Sequence, residues 1–133
     1  MRYLIDTQIA VWAKENNLKL TPYVKSLLED SGNEILVSRF SLIELSIKLK
    51  IGKLPDFIIN LETFIETLVA DGFTLLPVSN RHISTYQDIP LFDEHRDPFD
   101  RYIIATAHAE GLPLISADSQ FERYESFISL IKI

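Results

Sequence analysis

Four carboxylates stand out by where they fall. Asp6 directly follows Tyr3-Leu4-Ile5, and Asp118 follows Leu114-Ile115-Ser116 almost as directly. Glu44 lies early in the stretch after Ile35-Leu36-Val37, and Asp100 sits in Asp97-Pro98-Phe99-Asp100-Arg101. Acids crowded into one hollow repel one another and hold their protons, so such a cluster makes sense only when hard cations neutralise it. Oxygen-only ligation selects Mg²⁺ or Mn²⁺. Competing chemistries drop out. The chain has no cysteine, which excludes thiolate metal sites, a thiol nucleophile and disulfides. His82, His95 and His108 are scattered without paired spacing, which points to structural or surface roles rather than ligation.

Each acid also has a plainer reading. Ser41-Leu42-Ile43-Glu44 has the form of a capping box, Asp97 that of an N-cap with Asp100 three residues behind it, and Asp6 and Asp118 that of strand-end turn residues. Only the elements that position these acids can decide between capping and a shared site.

Short apolar runs alternate with amphipathic stretches, as expected of an α/β fold. Tyr3-Leu4-Ile5, Ile35-Leu36-Val37, Phe73 to Leu76 and Leu112 to Ile115 read as buried parallel strands, and Phe127 to Ile131 as a fifth. Thr21-Pro22 opens a helix, Ser41 opens another that stops at Gly52, and Asp97-Pro98 opens a third that stops at Gly111. Leu61, Phe64, Ile65, Leu68 and Val69 form the apolar stripe of a helix ending at Gly72. The likeness of Ala70-Asp71-Gly72 to Ala109-Glu110-Gly111 is shared helix-end punctuation rather than a repeat. Right-handed crossovers then give a three-layer α/β/α sandwich around a mostly parallel sheet, with ligands beyond the carboxyl ends of the strands. All four acids fall at that edge.

The chain of 133 residues, with 47% hydrophobic and 24% charged residues, is expected to form one domain over 1–133. No apolar run approaches a membrane span, and Met1-Arg2-Tyr3-Leu4-Ile5-Asp6 lacks signal-peptide character, so a soluble, cytoplasmic protein is expected. A net charge of −6 argues against a generic phosphate-coating surface. Setting the four site acids aside from the 19 leaves 15 against 13 basic residues, close to balance.

Taken together, Tyr3-Leu4-Ile5-Asp6-Thr7, Ser41 to Lys48 with Lys50-Ile51-Gly52-Lys53-Leu54, His95-Arg96-Asp97-Pro98-Phe99-Asp100-Arg101 running into Ile103-Ile104-Ala105, and Ser116-Ala117-Asp118 with Phe121 resemble the PIN-domain family. The likeness is strongest to VapC-type toxin ribonucleases of type II toxin–antitoxin systems. It covers nearly the whole chain in order. It implies that Asp6, Glu44, Asp100 and Asp118 are the catalytic acids and metal ligands for one or two Mg²⁺ or Mn²⁺ ions, with Thr7 and Ser116 as hydroxyls beside them. It also implies an RNA substrate, a cognate antitoxin and a homodimer. Asp97 is an extra acid, read mainly as an N-cap. Ile43 stands where the family usually has Trp, and Ala117 where it usually has a basic residue. Arg101 and Lys48 are candidates for the RNA backbone, Arg101 alternatively for pairing with an acid inside the site, and Trp12 and Tyr23 for packing between helices. Phe40, Leu42, Leu45 and the Phe57 to Leu68 region are candidates either for an antitoxin groove or for core and dimer contacts.

Two other functions fit parts of the pattern. An acid-pocket phosphatase or phospho-acceptor domain would use Asp6 as its own nucleophile, but position 8 is Gln8 rather than a second aspartate and no lysine follows Ser116. A non-catalytic PIN-fold binding module would have no need of all four acids.

Overall fold

The computed structural model describes residues 1–133. Five strands, β1 (Arg2–Ile5), β2 (Glu34–Ser38), β3 (Thr74–Leu76), β4 (Leu114–Ser116) and β5 (Leu130–Lys132), form one sheet in the order β3-β2-β1-β4-β5. Every pairing is parallel. The mostly parallel sheet expected from the sequence is thus wholly parallel. Six α-helices connect it: α1 (Thr7–Glu15), α2 (Pro22–Glu29), α3 (Arg39–Lys50), α4 (Leu61–Ala70), α5 (Asn80–Thr85) and α6 (Pro98–Glu110).

Alternation along the strands divides the core between two faces. Tyr3, Ile5, Ile35, Val37 and Ile115 face a layer built from α1, α2 and α4, while Leu4, Leu36 and Leu114 face α6. Both faces are therefore covered, which is why the strands read as continuous apolar runs. Leu4, Leu36 and Leu114 are at most 1% exposed, each burial worth about 1.5–3 kcal/mol.

Helix ends follow local chemistry. Thr21 caps α2 at the Val24 N–H with Pro22 in the first turn, and α6 ends at Gly111, whose φ of 63° only glycine adopts cheaply. One expected start is displaced: α3 begins at Arg39, with the Ser38 Oγ accepting from the Phe40 N–H at 3.1 Å, not at Ser41. Ser38 ends β2 and is the first side chain free to cap. Ser41 lies a turn further on, fully buried. The fifth strand is displaced too, to Leu130–Lys132, because Ile128 packs against the α6 face with Phe127 beside it.

Strand order reverses between β1 and β4. The connections leave β1 in one direction and enter β4 from the other, opening a crevice at their carboxyl ends.

Candidate functional site

Asp6 is the first residue beyond β1. One carboxylate oxygen accepts the Ile9 N–H at 2.9 Å and so caps α1, and the other accepts the Ser116 hydroxyl from the end of β4. Ser116 in turn accepts the Asp118 N–H at 3.0 Å, which draws the β4 exit towards the β1 exit. Burial pushes the Asp6 carboxyl from 3.8 up to about 6. The bonds from Ser116 and Ile9 oppose the rise, and the charges of Asp118 and Glu44 add to it.

Glu44 lies on the second turn of α3, and its 4% exposure sets it apart from a surface capping residue. Its partners are not the amides at the helix start. Thr7 Oγ donates to Glu44 Oε1 at 2.7 Å, and Lys48 Nζ, one turn on, reaches Oε2 at 2.7 Å. The capping-box reading of Glu44 therefore fails, and Thr7 stands beside the acids as expected. Partial burial works against the charge on Lys48, but Glu44, Asp100 and Asp97 outweigh it and raise its pKa.

The third contribution comes from the start of α6. Asp97 Oδ1 accepts the Phe99 and Asp100 N–H groups at 2.9 and 3.3 Å, the N-cap role expected of it. Asp100 turns inward instead, and its Oδ2 meets His95 Nε2 at 2.9 Å. Burial raises the Asp100 pKa, against the bond from His95 and with the help of Asp97 and Glu44. Ligand atoms of Glu44, Asp97 and Asp100 lie within 4.8 Å of one another. Asp118 caps the 3₁₀ turn that follows it, its Oδ1 accepting the Gln120 N–H at 2.9 Å.

Capping and clustering thus coexist. Asp97, Asp100 and Asp118 each commit one oxygen to the protein and keep the other free of protein donors. All five acids line one open cavity of about 360 Å³, with Thr7, Gln8, Lys48 and an apolar wall that includes Val11, Trp12 and Leu54. Lys48 is its one basic residue. An all-oxygen donor set holding two carboxyls above their ordinary pKa is the environment a hard divalent cation relieves.

A model of the PIN domain matches residues 3–126. The chain belongs to the PIN domain family. A comparison with curated proteins gives no match. Solved structures share the fold of this PIN domain at low identity. One is the VapBC2 complex of Rickettsia felis bound to a promoter DNA fragment, with a TM-score of 0.70, 18% identity and 99% and 98% of the two chains covered. VapBC-1 of nontypeable Haemophilus influenzae aligns with a TM-score of 0.64 and 20% identity over 99% and 98%. DNA-bound VapBC of Salmonella typhimurium aligns with a TM-score of 0.67 and 15% identity over 99% and 98%.

The peripheral residues of the PIN domain divide between expected and unexpected roles. Arg101 is 2% exposed, so it has no place on an RNA path. Its guanidinium donates to the Ile89 carbonyl at 2.8 Å, the Pro90 carbonyl and the Tyr86 hydroxyl at 3.1 Å, and it lies over the Tyr86 ring. It fastens the segment before the acidic turn to α6. Trp12 packs against the core and also lines the cavity, whereas Tyr23 is 58% exposed rather than packed between helices. Phe40, Leu42, Leu45, Phe64 and Leu68 are core residues, which removes them from any docking groove. Within the Phe57 to Leu68 region Ile58 and Ile59 remain exposed, and further exposed apolar residues include Ile43 and Ile47 on α3 and Ile51 just beyond its end. Among the histidines, His82 is buried against Glu110 and His108 bonds the Phe127 carbonyl, but His95 belongs to the site. Its neighbour Asp100 was legible in the sequence. Its own role was not, because the ring is positioned by Tyr124, 29 residues away.

Proposed function

We propose that this PIN domain is a metal-dependent endoribonuclease, the toxin of a type II toxin–antitoxin pair, acting in the cytoplasm. The observation that carries the reading is the convergence of Asp6, Glu44, Asp97, Asp100 and Asp118 on one open cavity at the switch point of the sheet. The oxygens left without protein donors on Asp97, Asp100 and Asp118, with Asp6 and Glu44, suit Mg²⁺ or Mn²⁺. The chemistry supplied by one or two such ions is activation of water and neutralisation of charge building on the departing oxygen. Asp6, Asp100 and Asp118 would hold the cations, with Asp97 at the rim.

Glu44 is suited to orient the attacking water and accept its proton. Thr7 donates to Glu44 Oε1 and Lys48 pairs with Oε2, so a phosphate drawing Lys48 to itself would uncover Oε2. Such an exchange would free the proton acceptor as the substrate binds. Lys48 then offsets phosphate charge in a cavity that otherwise repels anions. The partner proposal draws support from two further structures of the same fold, a member of the VapBC family of toxin–antitoxin systems from Mycobacterium tuberculosis and a toxin–antitoxin complex from Klebsiella pneumoniae. The exposed row Ile43, Ile47 and Ile51 offers apolar surface to an antitoxin or a second copy.

The test is cleavage of single-stranded RNA by the purified chain with Mg²⁺, Mn²⁺ or EDTA, beside Asp100→Asn and Asp118→Asn. Metal-dependent cleavage that falls at least about 100-fold in both variants, with unchanged circular dichroism, is expected. Undiminished cleavage by either variant, or a phospho-aspartate trapped on Asp6 without nuclease activity, overturns the reading.

A further inference from the structure

Behind Asp100 lies a chain of polar side chains that capping and ligation do not explain. Arg101 Nη1 approaches the Tyr124 hydroxyl at 3.4 Å, the Tyr124 hydroxyl meets His95 Nδ1 at 2.8 Å, and His95 Nε2 meets Asp100 Oδ2 at 2.9 Å. Arg101 can only donate, so it occupies a lone pair of the tyrosine oxygen. The Tyr124 proton then has one acceptor in reach, His95 Nδ1. With Nδ1 accepting, the ring proton sits on Nε2 and points at Asp100.

We infer that His95 is a positioning residue for the metal centre. Its Nε2–H, fixed in that tautomer by Tyr124, holds Asp100 Oδ2 and leaves Oδ1, which has no protein donor, available to a cation. The ring is prepared for the task. Its backbone N–H closes a turn onto the Phe92 carbonyl at 3.1 Å, and its faces pack edge-on to Tyr124 and against Phe121. His95 and Tyr124 are 6% and 0% exposed, so water does not compete for the bond between them. A ligand carboxylate fixed by a hydrogen bond loses less freedom when it binds, and removal of such supporting partners weakens metal binding by roughly 10- to 100-fold.

His82 supplies an internal control. Its Nδ1 accepts the Ser79 N–H at 3.2 Å and its Nε2 meets Glu110 at 2.7 Å, the same tautomer in a buried ring that lines no part of the cavity.

The assignment rests on the proposed metal centre for its purpose, but not for its geometry, so two readouts are needed. ¹H–¹⁵N correlation spectra of the labelled chain should show His95 with a protonated Nε2 and a bare Nδ1, and Tyr124→Phe should lose that single tautomer. Calorimetry with Mn²⁺ should show His95→Ala binding at least about tenfold more weakly than the parent. His95→Gln, whose amide can still donate to Asp100, should recover most of the loss, and His82→Gln should bind like the parent. If His95→Ala does not fold, Tyr124→Phe and His95→Gln carry the comparison, with Tyr124→Phe the weaker binder. A protonated Nδ1, or equal Mn²⁺ affinity in parent, His95→Ala and Tyr124→Phe, overturns the inference. Absence of Mn²⁺ uptake by the parent overturns the metal centre itself and the purpose given to His95, while the spectrum still decides the hydrogen-bond chain.

Discussion

Replacing Asp6 by Asn should make the metal-free protein more stable at pH 8 and lose that advantage in acid. In the parent, burial raises the Asp6 pKa from 3.8 to about 6. The native state therefore binds the proton more tightly than the unfolded chain, and stability falls as pH rises from about 4 through about 6. By pH 8 the ionised carboxylate costs the native state about 3 kcal/mol. Asn removes that charge and still caps α1, since Asn and Asp are equivalent N-caps. Its amide cannot accept the Ser116 hydroxyl at the second oxygen, a loss of about 1 kcal/mol. The net expectation is a gain of about 2 kcal/mol at pH 8, shrinking through pH 6 and reversing near pH 4, where neutral Asp6 keeps both bonds. Urea denaturation in EDTA at pH 4, 6 and 8 measures it. A variant less stable than the parent at all three values, by a constant margin, refutes the claim that Asp6 is held as an uncompensated buried acid.

Three further outcomes follow from the same geometry. Mn²⁺ affinity measured by calorimetry should rise steadily from pH 5 to 8, because the cation displaces protons held by Asp6 and Asp100, and a flat profile would count against their ligation. Arg101→Met should destabilise the fold by about 2–5 kcal/mol in urea, since it strands the Ile89 and Pro90 carbonyls, whereas a loss confined to RNA affinity would restore the role expected from sequence. Thr7→Val should leave the melting temperature within a few degrees while lowering RNA cleavage roughly tenfold or more, because Glu44 loses the donor that holds Oε1.

The parallel sheet was legible because its strands are covered on both faces, so Leu4, Leu36 and Leu114 had to be as apolar as Ile5, Val37 and Ile115. Asp6 and Asp118 announced themselves as the first acids beyond strands, and their places at the sheet edge followed from topology. What local pattern could not supply was the choice between equivalent caps: Ser38 and Ser41 are both good N-cap residues, and only the length of β2 selects Ser38. Arg101 stayed ambiguous for a related reason. An arginine after a ligand acid looks the same in sequence whether it faces solvent or the carbonyls of Ile89 and Pro90. His95 was hidden more deeply, since its meaning lies in Tyr124.

The bond from Ser116 to Asp6 joins residues 110 positions apart. On a ribosome, Asp6 emerges early and waits, through most of translation, for the strand that completes its surroundings. Whatever reaction the cavity performs cannot start on an unfinished polypeptide, and a premature stop anywhere before Ser116 yields an inert product. The ordering of the segments thus acts as a timer, deferring completion of the cavity until β4 and Asp118 have been made.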